Sequence, residues 1–195
     1  MKTVLASASP RRRQLLSEVC QNFEIIVEGT DEALTPLTHP RDGVRILAER
    51  KGAAVYKKHE KELSDALIIS SDTLVELDGK ALGKPESYDD AYAMLKSLSG
   101  KRHNVHTGIA LRIGERVVSA TATTGVYFKE LTHEQIDGYI KTDEVWDKAG
   151  SYAIQGGAGR FVDRIEGDFD TVVGFSIRLL RTLAEQIGLD GVFGK

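Results

Sequence analysis

The 195-residue chain is 41% hydrophobic, 28% charged and 7% aromatic, with 19 glycines and four prolines, so collagen-like and proline-rich disordered readings are excluded and one globular domain over 1–195 is expected. Its 26 basic and 29 acidic residues leave a formal charge of −3, which offers no broad basic face for a nucleic-acid polymer but leaves room for a small anion held by a few cations. The lone Cys20 can form neither an internal disulfide nor a cysteine-built metal site, and without a leader or a long apolar run the chain reads as cytoplasmic, with no membrane partner.

Short apolar runs alternate with amphipathic stretches. Lys2–Ala6 predicts a strand leading into Ser7-Ala8-Ser9-Pro10 and a helix, with Ser9 as N-cap and Pro10 in the first turn. Phe23–Val27 predicts a second strand, Glu28–Thr38 a polar loop, and Arg41–Lys58 an amphipathic helix containing Gly52. Asp65–Ser70 is the most apolar strand candidate, expected to break at Ser71-Asp72-Thr73 and resume at Leu74–Leu77 before a hairpin turn at Asp78-Gly79. Helix is expected over Ser87–Leu98, paired strands over Asn104–Ile113 and Arg116–Phe128, and a Thr132-capped helix to Ile140. Glycine-dense Gly150–Val173 reads as turns joining short strands, and Phe175–Ile187 as a closing helix. This order predicts an α/β (α+β) fold with a mixed sheet.

Several stretches could carry chemistry. Ser7-Ala8-Ser9-Pro10-Arg11-Arg12-Arg13 lies between strand and helix, where free backbone N–H groups and guanidinium forks suit a phosphate. A well-capped helix with solvated arginines fits the same residues. Asp72, at an expected strand exit, suits a metal ligand or general base, or simply a turn cap. Asp31-Glu32 is ordinary loop charge unless folding brings it to Asp72, when the two would offer the oxygen ligands Mg²⁺ prefers. Lys84, before Pro85, could neutralise phosphate charge, whereas Lys51 falls mid-helix. Gln155, in the stretch Trp146–Gly157, has both a donor and an acceptor for a base edge, or is a satisfied strand glutamine. His103 and His106, three apart on a strand, would face opposite sides and share no metal.

In order, these stretches resemble the Maf family of nucleoside triphosphate pyrophosphatases. The matching residues are Leu5-Ala6-Ser7 with Ser9-Pro10-Arg11-Arg12, Asp31-Glu32, Ala48 to Lys51, Ser71-Asp72-Thr73, Gly83-Lys84-Pro85, Leu98-Ser99-Gly100 with His103, Val105 and Thr107-Gly108, Lys148-Ala149-Gly150 and Ile154-Gln155-Gly156. The resemblance implies an elongated fold like that of the inosine triphosphate pyrophosphatases: a central mixed sheet, flanking helices and a cleft between two lobes. It implies hydrolysis of the α–β phosphate bond with a divalent cation, Mg²⁺ or Mn²⁺, and a possible homodimer. The Ile-Gln-Gly form is similar to that of the subgroup acting on dTTP and UTP. On that resemblance Asp72, Glu32 and Lys84 are catalytic, Glu32 and Asp72 hold the metal, and Ser7, Ser9, Arg11, Arg12, Lys51, Thr73 and Gln155 bind the nucleoside triphosphate. Near the end, Gly174-Phe175-Ser176-Ile177 stands where the family usually has Gly-Leu-Pro-Leu. Two other readings share these residues: a nucleotide-binding regulator of cell division with little turnover, and a purine-selective ITP or XTP pyrophosphatase.

Overall fold

The structure, a computed structural model, describes residues 1–35 and 38–194. Strand β1 (Thr3–Leu5) runs through a turn into α1 (Pro10–Ser17), where the Ser9 side chain accepts the Arg12 N–H and caps the helix as expected. Beyond β2 (Glu24–Ile25), which is shorter than its sequence suggested, come α2 (Pro40–Lys58) and a single turn, α3 (Glu60–Leu63). Strands β3 (Leu67–Leu77) and β4 (Lys80–Leu82) are joined at Asp78-Gly79, both at positive φ (52° and 78°), as a tight hairpin turn requires. Then follow α4 (Tyr88–Leu98), β5 (Arg102–Ile113), β6 (Arg116–Phe128) and α5 (His133–Ile140), the last with a Thr132–Gln135 capping box. The glycine-dense segment holds two 3₁₀ turns, one strand, β7 (Val162–Glu166), and a short helix, α6 (Phe169–Val173). Helix α7 (Ile177–Gln186) starts two residues later than expected, because Phe175 is a core residue and Ser176 is the cap.

The sheet is mixed, in the order β2-β1-β3-β5-β6-β7, with β4 on β3. Strands β2 and β3 run parallel to β1, and every other pairing is antiparallel. The expected break in β3 is absent: the strand is continuous through Asp72, paired to β5 from Ile68↔Arg112 to Glu76↔Asn104. What is interrupted is the neighbour on its other edge. Strand β1 leaves β3 at Ile69 and β4 joins it only at Val75, so Ser71, Asp72, Thr73 and Leu74 have no strand partner there.

Alternation along β3 explains what surrounds that gap. On one face Leu67 and Ile69 enter a core with α1 and α7, built on Leu16, Leu180, Leu183 and Phe175. On the same face Val75 and Leu77 enter a second core with Leu95 and Leu98 of α4 and Ile136 and Tyr139 of α5. Polar Ser71 and Thr73 fall between these two cores, so the cleft opens there. The opposite face carries α2, seated closely because Gly108 has no side chain: a Cβ at that position would lie 2.3 Å from the Val44 carbonyl oxygen. Among the described residues no helix is long and apolar enough to cross a membrane.

Candidate active site

The cleft over the β3 gap encloses about 670 Å³, a volume typical of small-molecule sites. Residues 8–12 form one wall, Glu32 and Lys51 another, and Gly83-Lys84 with residues 147–149 a third; Asp72 and Thr73 lie on the floor. The lining also includes apolar side chains, among them Val75, Val105, Ala149 and Tyr152, together with Gln155. Of the proposed site residues, Ser9, Arg11, Arg12, Glu32, Lys51, Asp72, Thr73, Lys84 and Gln155 therefore meet around one cavity.

Ser7 does not line it. It is 6% exposed and sits behind the turn, where its Oγ accepts from the Ser9 N–H (3.3 Å) and from Arg12 Nη1 (3.3 Å). It shapes the loop and does not face the cavity.

The two arginines have separate positions. Arg12 turns inward, filling the unpaired edge of β3. Its Nη1 donates to the Ser71 carbonyl (2.7 Å), its Nη2 to Thr73 Oγ1 (3.3 Å) and its Nε to the Gly174 carbonyl (3.0 Å). Desolvation lowers its proton affinity, opposed by the nearby Asp72 carboxylate. Ser71 Oγ also donates to Gly174 O (3.1 Å), and Thr107 Oγ1 donates to Thr171 O (2.7 Å) while bonded to Thr73 Oγ1 (2.9 Å). The segment that departs from the family pattern is thus tied to the cleft floor through Gly174, whose φ of 117° suits glycine. Arg11, by contrast, lines the cavity and, among the described residues, forms no ion pair or side-chain hydrogen bond; the same holds for Lys84.

Mid-helix Lys51 reaches into the cavity. Its Nζ lies 2.8 Å from Glu32 Oε1 and 2.5 Å from Asp72 Oδ1, joining a loop carboxylate to a strand carboxylate. The Lys51 and Asp72 side chains are only 20% and 10% exposed, so their attraction is stronger than that of a surface ion pair. The hydrogen bond from Lys51 holds the Glu32 pKa below its ordinary value against the opposing effect of burial, and Lys84 and Arg12 add to the lowering. Among the described residues no cluster of three His, Cys, Asp or Glu side chains could enclose a metal. Mg²⁺ commonly keeps water and phosphate oxygens and takes only one or two carboxylates from protein. Glu32 and Asp72, already converging on one cation, fit an ion that arrives with a phosphate; they do not form a complete protein cage.

Lys148 and Asp147, absent from the expected set, also line the cleft and contact each other. Their signal was the Lys148-Ala149-Gly150 run. Gly150, at φ 69°, donates its N–H to Gly83 O (2.9 Å), setting the segment that carries Lys148 beside the one that carries Lys84. Tyr152, in the apolar part of the lining, shares a 2.8 Å hydrogen bond with buried His103. His106 points to the other face, against Glu76 Oε2 at 2.6 Å, so the two histidines do diverge as their spacing required.

Fold and site together define a mixed-sheet α/β protein whose cleft brings together cations, carboxylates and apolar side chains. The chain belongs to the Maf-like protein family, whose model matches residues 2–187. Among its relatives, a protein of Thermotoga maritima is 46% identical over 92% of this chain and 86% of its own length. One of Bacillus cytotoxicus is 44% identical over 94% and 95% of the two chains. One of Caldicellulosiruptor saccharolyticus is 39% identical over 100% and 98%. All three are named dTTP/UTP pyrophosphatase. The solved structure of the Staphylococcus aureus Ham1 protein overlaps 66% of this chain and 72% of its own at 15% identity and a TM-score of 0.43, too distant a likeness to bear on function.

Proposed function

We propose that the chain is a cytoplasmic nucleoside triphosphate pyrophosphohydrolase that takes dTTP and UTP, or modified pyrimidine nucleotides, to the monophosphate and pyrophosphate. One observation carries this reading: Arg11, Lys84, Lys148 and Lys51, from four separate segments, line one cleft with the Glu32–Asp72 pair, apolar side chains and Gln155. Cations from four segments in one cavity suit a polyanion, and apolar lining with an amide beside it suits a base. Relatives at 39–46% identity that are named for dTTP and UTP support the choice of pyrimidine.

In this reading Arg11, Lys84 and Lys148 hold phosphate oxygens and offset the repulsion that a water nucleophile meets near a polyphosphate. Lys51 keeps Glu32 and Asp72 together in the cleft. Asp72, fixed on a paired strand, accepts the proton of the attacking water as the α–β bridge breaks and pyrophosphate leaves. Arg12 and Thr73 hold the floor, and Gln155 contacts the base. A divalent cation held by Glu32 and Asp72 would supply charge neutralisation at the phosphates. The homodimer implied by the family resemblance is part of the same proposal and is read by sedimentation.

A triphosphate panel with Mg²⁺ or Mn²⁺ tests the assignment. Pyrophosphate and monophosphate should appear in equal amounts, faster from dTTP and UTP than from ITP. Orthophosphate as the product, or ITP as the fastest substrate, would overturn it. Asp72→Asn should lower kcat by about 10²–10⁴-fold, the range for removal of a general base; a rate within about threefold of wild type, only ~0.65 kcal/mol of barrier, would remove Asp72 from that role.

A further inference from the structure

Glu32 is needed at the centre of the cleft, yet its own burial does not put it there. Its side chain is 59% exposed, and no described residue of the loop from Glu28 to Thr35 is buried. Beside the Lys51 ion pair, side chains bonded to the loop's backbone hold the turn. Asp31 Oδ1 accepts the Ala33 N–H at 2.9 Å, closing the chain around Glu32. Arg50 Nη1 then donates to the carbonyls on both sides of Glu32, Asp31 O at 3.2 Å and Ala33 O at 2.7 Å. The start of the same loop is held at Glu28, by Lys58 Nζ at 2.6 Å and His59 Nε2 at 2.8 Å.

Helix α2 thus presents two adjacent cations with different tasks. Successive helical residues point about 100° apart, so Arg50 meets the turn's backbone while Lys51 meets its carboxylate from inside the cavity. Arg50 is not among the residues that line the cavity.

We infer that Arg50 is a positioning residue: it fixes the turn that aims Glu32 at Asp72, and so acts on the reaction only through Glu32. This rests on the proposed role of Glu32. It differs from a general stabilising contact in a measurable way, because a residue that works through one partner has no further effect once that partner is gone.

The test is a double-mutant cycle on the full chain, with steady-state UTP hydrolysis and Mg²⁺. Arg50→Met keeps the aliphatic stem and removes the donors. It should lower kcat by about tenfold with KM within about twofold, as expected of a sub-ångström misplacement of a catalytic group, a full ångström costing up to about 10²-fold. Arg50→Lys should recover most of that loss, since one nitrogen makes both bonds in the native turn. In a Glu32→Gln background, Arg50→Met should change kcat by less than about twofold. A further tenfold loss in that background, or a wild-type rate for Arg50→Met alone, overturns the inference and leaves Glu32's role standing. A lowered melting temperature with additive kinetics counts with the overturning results. A wild-type rate for Glu32→Gln alone overturns the assignment of Glu32 and the inference resting on it together.

Discussion

Arg11 and Arg12 are neighbours in a helix's first turn, and no property of the residue type separates them. The structure separates them by what is already bonded. Three nitrogens of Arg12 serve Ser71 O, Gly174 O, Ser7 Oγ and Thr73 Oγ1, whereas Arg11 faces the cavity. Removing Arg12 strips donors from two carbonyls, and a buried group left unsatisfied costs about 1–3 kcal/mol. Arg12→Met should therefore lower the melting temperature and the rate together. Arg11→Met should leave the melting temperature within about a degree, a substitution at an unpaired site costing within ~0.5 kcal/mol, and raise KM instead. Thermal unfolding beside steady-state kinetics distinguishes them; the reverse pattern would exchange the roles of the two arginines.

Among the elements, β3 and α2 make the site, and both were legible as elements in the sequence. Their relation was less so. Ser71-Asp72-Thr73 looked like a break because polar residues interrupt an apolar run, yet a strand keeps its hydrogen bonds whatever its side chains. The polar triplet marks the place where β3 loses its neighbour, and Arg12 supplies the missing donor to Ser71 O. Helix α2 was recognisable by periodicity, but its seating depends on two glycines at its contact with the sheet, Gly52 on the helix and Gly108 on β5. Gly52 sits over Ser70, whose Oγ donates to Ala48 O at 2.6 Å, and Gly108 sits under the Val44 carbonyl. A methyl at Gly108 would meet backbone, which cannot rotate away, so Gly108→Ala should push α2 off the sheet. Overpacking of this kind costs about 1–3 kcal/mol, and because Lys51 and Arg50 ride on α2, kcat should fall as well. Denaturant titration and kinetics on the same preparation check both; full activity with lowered stability would show that the cleft tolerates a displaced helix.

At the scale of the whole molecule, the cleft is the seam between two cores, and its lining residues Val75, Val105 and Tyr152 belong to one of them. Tyr152 shares its hydroxyl with His103, which is 1% exposed and packs edge-on to Phe128. Burial, with Arg102 adding repulsion, pulls the His103 pKa from 6.5 down to about 4. The folded protein therefore holds this ring neutral while the unfolded chain still takes up a proton. Stability from this source is complete above about pH 6.5, declines as pH falls toward 4, and levels off below, for a total of roughly 3 kcal/mol. Buried His106 is shifted in the same direction, first by burial and against the pull of Glu76. Urea denaturation at pH 7, 5.5 and 4.5 should show this decline, and His103→Gln should flatten it; an unchanged slope would place the titration elsewhere.

The residue pattern by itself missed the continuity of β3 and helix α6 but determined most of the elements, the α1 cap, the Asp78-Gly79 turn and, through ordered short motifs, the family. These depend on local stereochemistry and on residues that keep their spacing, both of which can be read along a chain. Only the tertiary structure decided which cation was free and which was locked, that Ser7 stands behind the cleft, that Lys148 joins Lys84, and that Lys51 bridges Glu32 to Asp72. A donor's availability depends on acceptors supplied by distant segments, Gly174 to Arg12 and Gly83 to Gly150, and no local pattern contains that information.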